Sequence, residues 1–406
     1  MKFTGLVTHL GIDFDVPVMN SYFNRSRKWF TRHARCLAGA ALCLASASLY
    51  GASYMTIVGT YTSEKSKGIY GFSFNSETGA AGPVKLLIES DNPSFVALHP
   101  NGRFLYAVNE VTEFQGEAAG AVSAYRIADG QLTFINQRST GGGAPCHLNV
   151  DALGNYLAIA NYVGGNTAVF RIDPEGGLGG RTELVQHLGS SKNLNRQSGP
   201  HAHSVNFSAD NRFLVAADLG ADKVFSYPID LKTGRLDLGR TRSVSLPPGS
   251  GPRHFSFHPS SPLAFVNSEL TSEVSSLRYD KASGRFTVID SASTLPRGFR
   301  GGNSTAETLV HPNGRFVYVS NRGHNSIAVF RVEASGKLTS VEFESTQGST
   351  PRNFNFDPTG NFLLAANQAS DSVVVFRVNQ ATGELSPTGT TVSVPTPVCL
   401  RFLKRR

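Results

Sequence analysis

The sequence predicts an all-β protein, a seven-bladed β-propeller, from three observations. First, one phrase recurs along the chain, and its clearest copies are residues 92–110, 303–322 and 350–368. Each copy contains an apolar strand, a tight turn and a second apolar strand that stops at Asn, with a third strand after a short gap. Second, the copies lie 46 to 57 residues apart, a period typical of stacked or radially arranged units. Third, the seventh copy is divided between the two ends of the chain.

The strands follow in order from the residue that begins each copy. These seven anchors are Pro93, Pro145, Ala202, Pro252, Thr305, Pro351 and Pro397. The last anchor leaves room for one strand, residues 398–403, and the strands it lacks are found at residues 55–61 and 68–75. A ring closed by pairing of its N- and C-terminal strands needs no capping repeat, whereas a solenoid does. We therefore expect a single propeller domain over residues 53–406.

Residues 1–52 form a leader that resembles a secretory signal. Five basic residues between Arg25 and Arg35 precede an apolar run and the small residues 45–47. The run is short against the roughly 20 residues needed to span a bilayer, so we expect cleavage. An uncleaved anchor stays open, and Met19 is an alternative start. The expected location is the periplasm or the exterior, or the cytoplasm if the leader is not functional.

The charge of the chain is divided between the leader and the ring. Of the formal net charge of +8, residues 1–53 hold +4, from six basic and two acidic residues. The other +4 is compatible with an anionic small substrate. No basic stripe with interleaved aromatic residues is present, so we expect no nucleic-acid partner. Without the leader we expect a monomer with no stable membrane insertion and two free thiols, Cys146 and Cys399, on non-adjacent blades.

Two positions of the repeat are expected to face one mouth of the central channel. They are the residue after each anchor and the residue after each terminal Asn, because the start of one strand lies beside the end of its antiparallel neighbour. The first set reads Ser94, Cys146, His203, Arg253, Ala306, Arg352 and Val398, and the second reads Glu110, Tyr162, Leu219, Glu269, Arg322 and Gln368. Charged residues here break an apolar repeat, as expected at a functional site.

The third to fifth copies bring together four candidate catalytic residues: His203, Arg253, Glu269 and Arg322. His201 precedes His203 by two residues and is expected on the same strand face, as a residue that binds substrate. Three further candidates for substrate binding lie one residue along the inner strands, and they alternate to the other side if the strand is regular: His147, His254 and Glu307.

Structural interpretations stay open for these residues. Arg253 and Glu269 could form an inter-strand ion pair that fixes the register, and His203 could be a hydrogen-bonded core imidazole. His201, His203 and Glu269 could instead hold a divalent metal. Three histidines repeat with the turns and are interpreted as structural: His99, His258 and His311. The sequence contains neither a phosphate-cradling Gly loop nor a nucleophile elbow.

At these residues the chain resembles the lactonase family of seven-bladed propellers, which includes the propeller-type 6-phosphogluconolactonases and the fungal carboxymuconate cyclases. The resemblance covers residues 54–403, with matching stretches at residues 59–70, 199–227, 251–270, 303–307 and 320–330. It implies hydrolysis or formation of a lactone ring at the channel mouth. The family's catalytic His falls on His203, its two Arg on Arg253 and Arg322, and its Glu on Glu269. Residues 317–330 are also similar to YVTN-type propellers, many of which are binding modules.

The sequence therefore favours a metal-independent lactonase, without a cofactor, that acts on a small-molecule sugar lactone. Water would attack the ring ester, and Glu269 or His203 would take its proton. Arg253 and Arg322 would stabilise the oxyanion, or clamp a carboxylate or phosphate of the substrate.

Two other functions stay open. One is a non-enzymatic envelope propeller that acts as a binding module, and the other is a muconate-type lactonizing isomerase that uses the same four residues. A functional leader favours an unphosphorylated lactone such as gluconolactone, because a phosphorylated sugar lactone is a cytoplasmic metabolite.

Overall fold

The computed structural model describes residues 53–404, which form 29 β-strands in seven antiparallel sheets. The chain begins with three strands of the blade that closes the ring, blade 7: β1 (Ser53–Thr60), β2 (Gly68–Asn75) and β3 (Lys85–Glu89). Blade 1 contains β4 (Val96–Leu98), β5 (Phe104–Asn109), β6 (Ala121–Ala128) and β7 (Gln131–Ser139). Blade 2 contains β8 (Pro145–Val150), β9 (Tyr156–Asn161), β10 (Asn166–Ile172) and β11 (Leu178–Gln186).

The other blades repeat this order from the inner to the outer strand. Blade 3 contains β12 (Ala202–Phe207), β13 (Phe213–Asp218), β14 (Lys223–Asp230), β15 (Arg235–Leu236) and β16 (Arg242–Ser245). Blade 4 contains β17 (Pro252–Phe257), β18 (Leu263–Ser268), β19 (Glu273–Asp280) and β20 (Arg285–Ser293). Blade 5 contains β21 (Ser304–Val310), β22 (Phe316–Arg322), β23 (Ser326–Val332) and β24 (Leu338–Ser345). Blade 6 contains β25 (Pro351–Phe356), β26 (Phe362–Asn367), β27 (Ser372–Val378) and β28 (Leu385–Ser393), and β29 (Pro397–Lys404) completes blade 7.

The two ends of the chain pair with each other. Strand β29 is antiparallel to β1, with Tyr54 opposite Lys404 and Gly59 opposite Cys399, and blade 7 has the strand order β29-β1-β2-β3. Blades pack through apolar side chains, as where Phe362 of blade 6 meets Phe74 of blade 7 edge to face, with ring centroids 5.6 Å apart. The predicted seven-bladed propeller and its closure are confirmed.

The turn histidines of blades 1, 4 and 5 each link their blade to the next one. His99, His258 and His311 donate from Nε2 to the carbonyl oxygens of Gly154, Gly314 and Gly360, at 2.9, 2.8 and 2.8 Å. All three glycines have positive φ, near +75°, in the turn of the following blade. The structural interpretation of these histidines is confirmed. Each one stabilises a turn whose glycine has a backbone conformation that residues with a side chain adopt less readily.

Loss of one such link is expected to lower stability. His311→Ala should reduce the free energy of unfolding by about 1–3 kcal/mol, because the buried Gly360 carbonyl loses its donor. Urea denaturation followed by far-UV circular dichroism measures the change. The exposed Lys337→Ala in the same blade is the control, and equal midpoints for the two variants would contradict the assigned role.

The inner strands are irregular at the channel mouth. Six of them shift register just after their anchors, in blades 2 to 7. A β-bulge places two residues opposite one on the partner strand and re-aims their side chains. In β17, for example, the register passes from Pro252 to Phe255, so Arg253 and His254 lie in the irregular segment.

Three smaller predictions concern the thiols, membrane helices and the leader. Cys146 and Cys399 are free, as predicted, and both are buried. Within residues 53–404 the helical segments are two 3-10 turns, Leu238–Arg240 and Gln368–Ser370, and no helix in this part is long and apolar enough to cross a membrane. The leader, with its predicted cleavage pattern, lies outside the described residues.

Candidate active site

The four candidate catalytic residues converge on one carboxylate. Glu269 Oε2 lies 2.7 Å from Arg253 Nε, 3.1 Å from Arg322 Nη2 and 3.9 Å from His203 Nε2. Arg196 Nη2 donates to Glu269 Oε1 at 2.8 Å. Blades 3, 4 and 5 supply the first four residues, and Arg196 reaches in from the loop between β11 and β12. The sequence prediction had no signal for Arg196, because that loop is not part of the repeat.

The surrounding guanidinium groups keep Glu269 ionised. Burial alone would raise its pKa, but the charges of Arg322, Arg253 and Arg196 lower the pKa to about 2. Burial and the neighbouring Arg253 also lower the pKa of Arg322, to about 9, so that this guanidinium keeps its charge at neutral pH. Glu269 is thus a weak base, suited to holding arginines in place.

Arg253 connects Glu269 with the channel axis. It donates from Nε to Glu269 and from Nη1 to the Ala306 carbonyl at 2.7 Å. Its Nη2 has no protein hydrogen-bond partner within residues 53–404. The inter-strand ion pair considered from the sequence is therefore present, and it leaves one end of the guanidinium available to a ligand.

A second arginine, Arg352 of blade 6, lines the same pocket as Arg253. Arg352 Nη2 donates to the Tyr61 hydroxyl at 2.8 Å, and its guanidinium lies 5.2 Å from the centroid of the Tyr61 ring. The Tyr61 hydroxyl donates to Glu110 Oε2 at 2.8 Å, and Ser94 Oγ donates to the same oxygen. Within the described chain, no carboxylate lies within ion-pair distance of Arg352.

These groups line a small pocket at the channel mouth. Its cavity volume is about 10 Å³, and its walls include Tyr61, Glu110, Cys146, Arg253, His254 and Arg352. This is about the space that one water molecule needs, so only the reacting atoms of a ligand could enter it and the rest of the ligand would lie outside. Tyr61, Glu110 and Arg352 were assigned no role from the sequence. The signal that could have found Tyr61 is its position after β1, equivalent to that of Glu269 after β18.

The inner strands are irregular where His147, His254 and Glu307 lie, so the condition under which these residues would alternate to the other side is not met. The ring centroids of His254 and His147 are 5.2 Å apart, and those of His254 and His203 are 5.6 Å apart. His254 Nδ1 lies 2.8 Å from Glu307 Oε1. Blades 2 and 4 are not neighbours, so their side chains can meet only at the axis. The bulges thus bring this second layer of residues, His147, His254 and Glu307, together at the channel.

His203 and His201 occupy different environments. His203 is buried, and its Nδ1 lies 3.6 Å from Cys146 Sγ. Burial, followed by the charge of Arg253, lowers the pKa of His203 well below its usual value. His201 precedes β12 and lies at the rim, where its ring stacks on Tyr162 with centroids 4.5 Å apart and its Nδ1 donates to the Tyr162 carbonyl.

The metal-site interpretation has no support in the geometry of these side chains. His201 Nδ1 is engaged by a carbonyl oxygen, and His203 contacts Glu269 at 3.9 Å. Residues 53–404 contain no group of three or more His, Cys, Asp or Glu side chains arranged to hold a metal ion.

The sequence and the fold match known proteins over nearly the whole described region. Residues 55–402 match the family described as Lactonase, 7-bladed beta-propeller. The chain is 40% identical over 353 residues to a 6-phosphogluconolactonase of Bacillus subtilis, covering 86% of this chain and 98% of that protein. The solved periplasmic gluconolactonase of Pseudomonas aeruginosa is 35% identical, with a TM-score of 0.81 and coverage of 86% and 99% of the two chains. A 6-phosphogluconolactonase of Formosa agariphila is 36% identical over 311 residues, covering 74% of this chain and 85% of that one.

Proposed function

The chain belongs to the lactonase family of seven-bladed β-propellers, and from this premise we propose that it hydrolyses a sugar lactone in the pocket at its channel mouth. The observation that carries the proposal is the guanidinium of Arg253, which is held by Glu269 and Ala306, has no protein partner at Nη2 within the described residues, and lines the same pocket as Arg352. Relatives of 35–40% identity that are named for gluconolactone or its 6-phosphate support the choice of substrate class.

The proposed reaction is attack of water on the ring ester carbonyl. A bond forms between the water oxygen and the carbonyl carbon, and the carbonyl oxygen becomes an oxyanion. Donors that are already in place when this charge develops stabilise the transition state, and one such donor is worth roughly 10²–10³ in rate. Arg253 and Arg352 are the donors available at the pocket. The ring carbon–oxygen bond then breaks, the ring oxygen takes a proton, and the product is a hydroxy acid.

The proton of the attacking water passes to an imidazole of the channel. Glu269 is a poor base, because neighbouring arginines lower its pKa to about 2 despite its burial. Burial lowers the pKa of His203 and of His254 well below the usual value, so both rings are neutral at neutral pH and each has one nitrogen with a free lone pair. Arg322, which donates to the Thr305 carbonyl and pairs with Glu269, holds the carboxylate in place.

A lactone panel tests the proposed function. The purified chain should hydrolyse D-glucono-1,5-lactone or its 6-phosphate well above the spontaneous rate, measured by acid release in weakly buffered solution. A muconate is assayed in parallel for ring closure. No acceleration with any sugar lactone would refute the hydrolase, and turnover of the muconate alone would make the protein a lactonizing isomerase.

We further propose export and an unphosphorylated substrate. The basic and apolar segments of residues 25–47 support export, and a phosphorylated lactone is made inside the cell. N-terminal sequencing of the mature chain from fractionated cells tests the compartment. An intact Met1 or Met19 terminus in the cytoplasmic fraction would contradict export and would favour the 6-phosphate as substrate.

A further inference from the structure

We propose that His254 is the general base of this site, and that Glu307 and Asn353 hold it in the tautomer that accepts a proton at Nε2. The inference rests on the proposed lactone hydrolysis and identifies the imidazole that takes the proton of the attacking water. The sequence had left that role to Glu269 or His203 and had placed His254 and Glu307 only among residues that bind substrate.

The hydrogen bonds of Glu307 determine where the proton of His254 lies. Glu307 Oε1 accepts the backbone N–H of Thr308 at 2.9 Å, and Glu307 Oε2 accepts the side-chain amide of Asn353. The orientation of that amide is fixed, because Asn353 Oδ1 accepts the backbone N–H of Leu400 at 2.9 Å. A carboxylate that receives these two donors is suited to accept a third from His254 Nδ1, 2.8 Å away.

With its proton on Nδ1, His254 has a bare Nε2. The ring lines the mouth pocket together with Arg253 and Arg352. Within the described chain, Nε2 has no protein hydrogen-bond partner. It is not fully buried either, so it is accessible from the pocket that the ring lines. A lone pair and two guanidinium groups therefore face the same small volume, as water attack on a carbonyl bound there requires.

The other two channel histidines present no such lone pair. His147 Nδ1 accepts the backbone N–H of Val205 at 3.3 Å, so its proton lies on Nε2. His203 Nε2 faces the ionised Glu269, which favours a proton on that nitrogen, and its Nδ1 faces the Cys146 thiol. Burial raises the pKa of this thiol, which stays protonated.

The charge around His254 sets its protonation state. The charged and titratable groups that face it from the surrounding strands are Arg253, Arg322, Arg352, Arg401, His147, His203 and Glu307. Burial lowers the pKa of His254 first, and the arginine charges lower it further, so the ring is unprotonated at neutral pH. The Glu307 carboxylate opposes them at Nδ1 and stabilises the imidazolium that forms during the reaction. Burial raises the pKa of Glu307, and the Arg401 charge and the Thr308 N–H counteract this.

Substitutions at three histidines and Glu307 test the assignment with D-glucono-1,5-lactone as the probe. His254→Gly should lower kcat by about 10²–10⁴-fold, and added imidazole should restore part of the rate. Glu307→Gln should lower kcat by about 10²-fold or more with little change in KM, because its amide cannot accept from both Thr308 and Asn353 without presenting a donor to another donor. His203→Gly should lose less, without rescue by imidazole. His258→Gln, at the far end of β17, is the control and should keep the wild-type rate.

Each result separates this inference from the proposed function. A wild-type enzyme active on the lactone, with His254→Gly within tenfold of its rate, overturns the assignment of His254 and leaves lactone hydrolysis intact. Imidazole rescue of His203→Gly but not of His254→Gly would also overturn the assignment of His254 and leave lactone hydrolysis intact. A wild-type chain that accelerates no lactone hydrolysis overturns the proposed function itself. Thermal midpoints within a few degrees of wild type show that a variant is folded, and the rescue experiment identifies loss of a base in a folded protein.

Discussion

Replacing Arg253 with Met is expected to lower kcat/KM for lactone hydrolysis by about 10²–10³-fold, the contribution of one oxyanion donor. The loss should be mainly in kcat, because the oxyanion exists only in the transition state and in the tetrahedral intermediate. Met retains much of the buried side-chain volume but has no donor. The protein should fold, because Glu269 keeps ion pairs with Arg322 and Arg196 when Arg253 is removed.

The matched variant is Arg253→Lys, which keeps the charge and removes the planar fork. Arg253 uses Nε for Glu269 and Nη1 for Ala306, and its third nitrogen has no protein partner in the described chain. One ammonium group cannot serve three directions at once, so Lys should lose nearly as much activity as Met. Arg103→Lys, at the end of blade 1 away from the channel mouth, controls for the change of residue type. Full activity of a folded Arg253→Met protein would exclude Arg253 as an oxyanion donor.

The sequence predicted the ring and the convergence of four side chains because both depend on the repeat. Equivalent positions of a closed repeat must face the same axis. The sequence alone therefore places His203, Arg253, Glu269 and Arg322 together. The same logic placed Ser94, Glu110 and Arg352 at the mouth. It gave them no role, because a repeat predicts location and carries no information about which donors stay without a partner.

The second layer of the site could not be read from the sequence. A β-bulge has no signature in the alternation of apolar and polar residues, so the sequence could not decide whether His254 and Glu307, which it named as candidates for substrate binding, face the channel. Arg196 was missed for a different reason. It lies in a loop outside the repeat, and its contact with Glu269 depends on how that loop folds over blade 3.

Replacing Glu269 with Gln is expected to lower the free energy of unfolding at pH 7 by about 3–5 kcal/mol. Removal of one partner from a buried ion pair leaves the other charge uncompensated. Here Arg253, whose side chain is 2% exposed, and Arg322, at 13%, would face each other without the carboxylate. Burial and the Arg253 charge already lower the pKa of Arg322 to about 9, and Glu269 is among the groups that keep it protonated.

The difference between wild type and Glu269→Gln should depend on pH in a defined direction. The folded pKa of Glu269 is about 2 and its ordinary value is 4.5. A lowered folded pKa contributes stability that is fully present above about pH 4.5 and is lost as the pH falls toward 2. The shift corresponds to an effect on the order of 3 kcal/mol. Urea denaturation of both proteins at pH 7, 5 and 3 should show a constant difference between the first two and a smaller one at the last.

Glu175→Gln is the matched control for this series. Glu175 pairs with Arg126 at 3.1 Å on the surface, where the two side chains are 77% and 38% exposed. Exposed pairs of this kind contribute about 0–1 kcal/mol, so this variant should differ little from wild type at any pH. Equal stability of Glu269→Gln and Glu175→Gln at pH 7 would mean that solvent or rearranged side chains neutralise Arg253 and Arg322. In that case Glu269 does not hold the arginines, and the rigid oxyanion donor proposed for this site loses its physical basis.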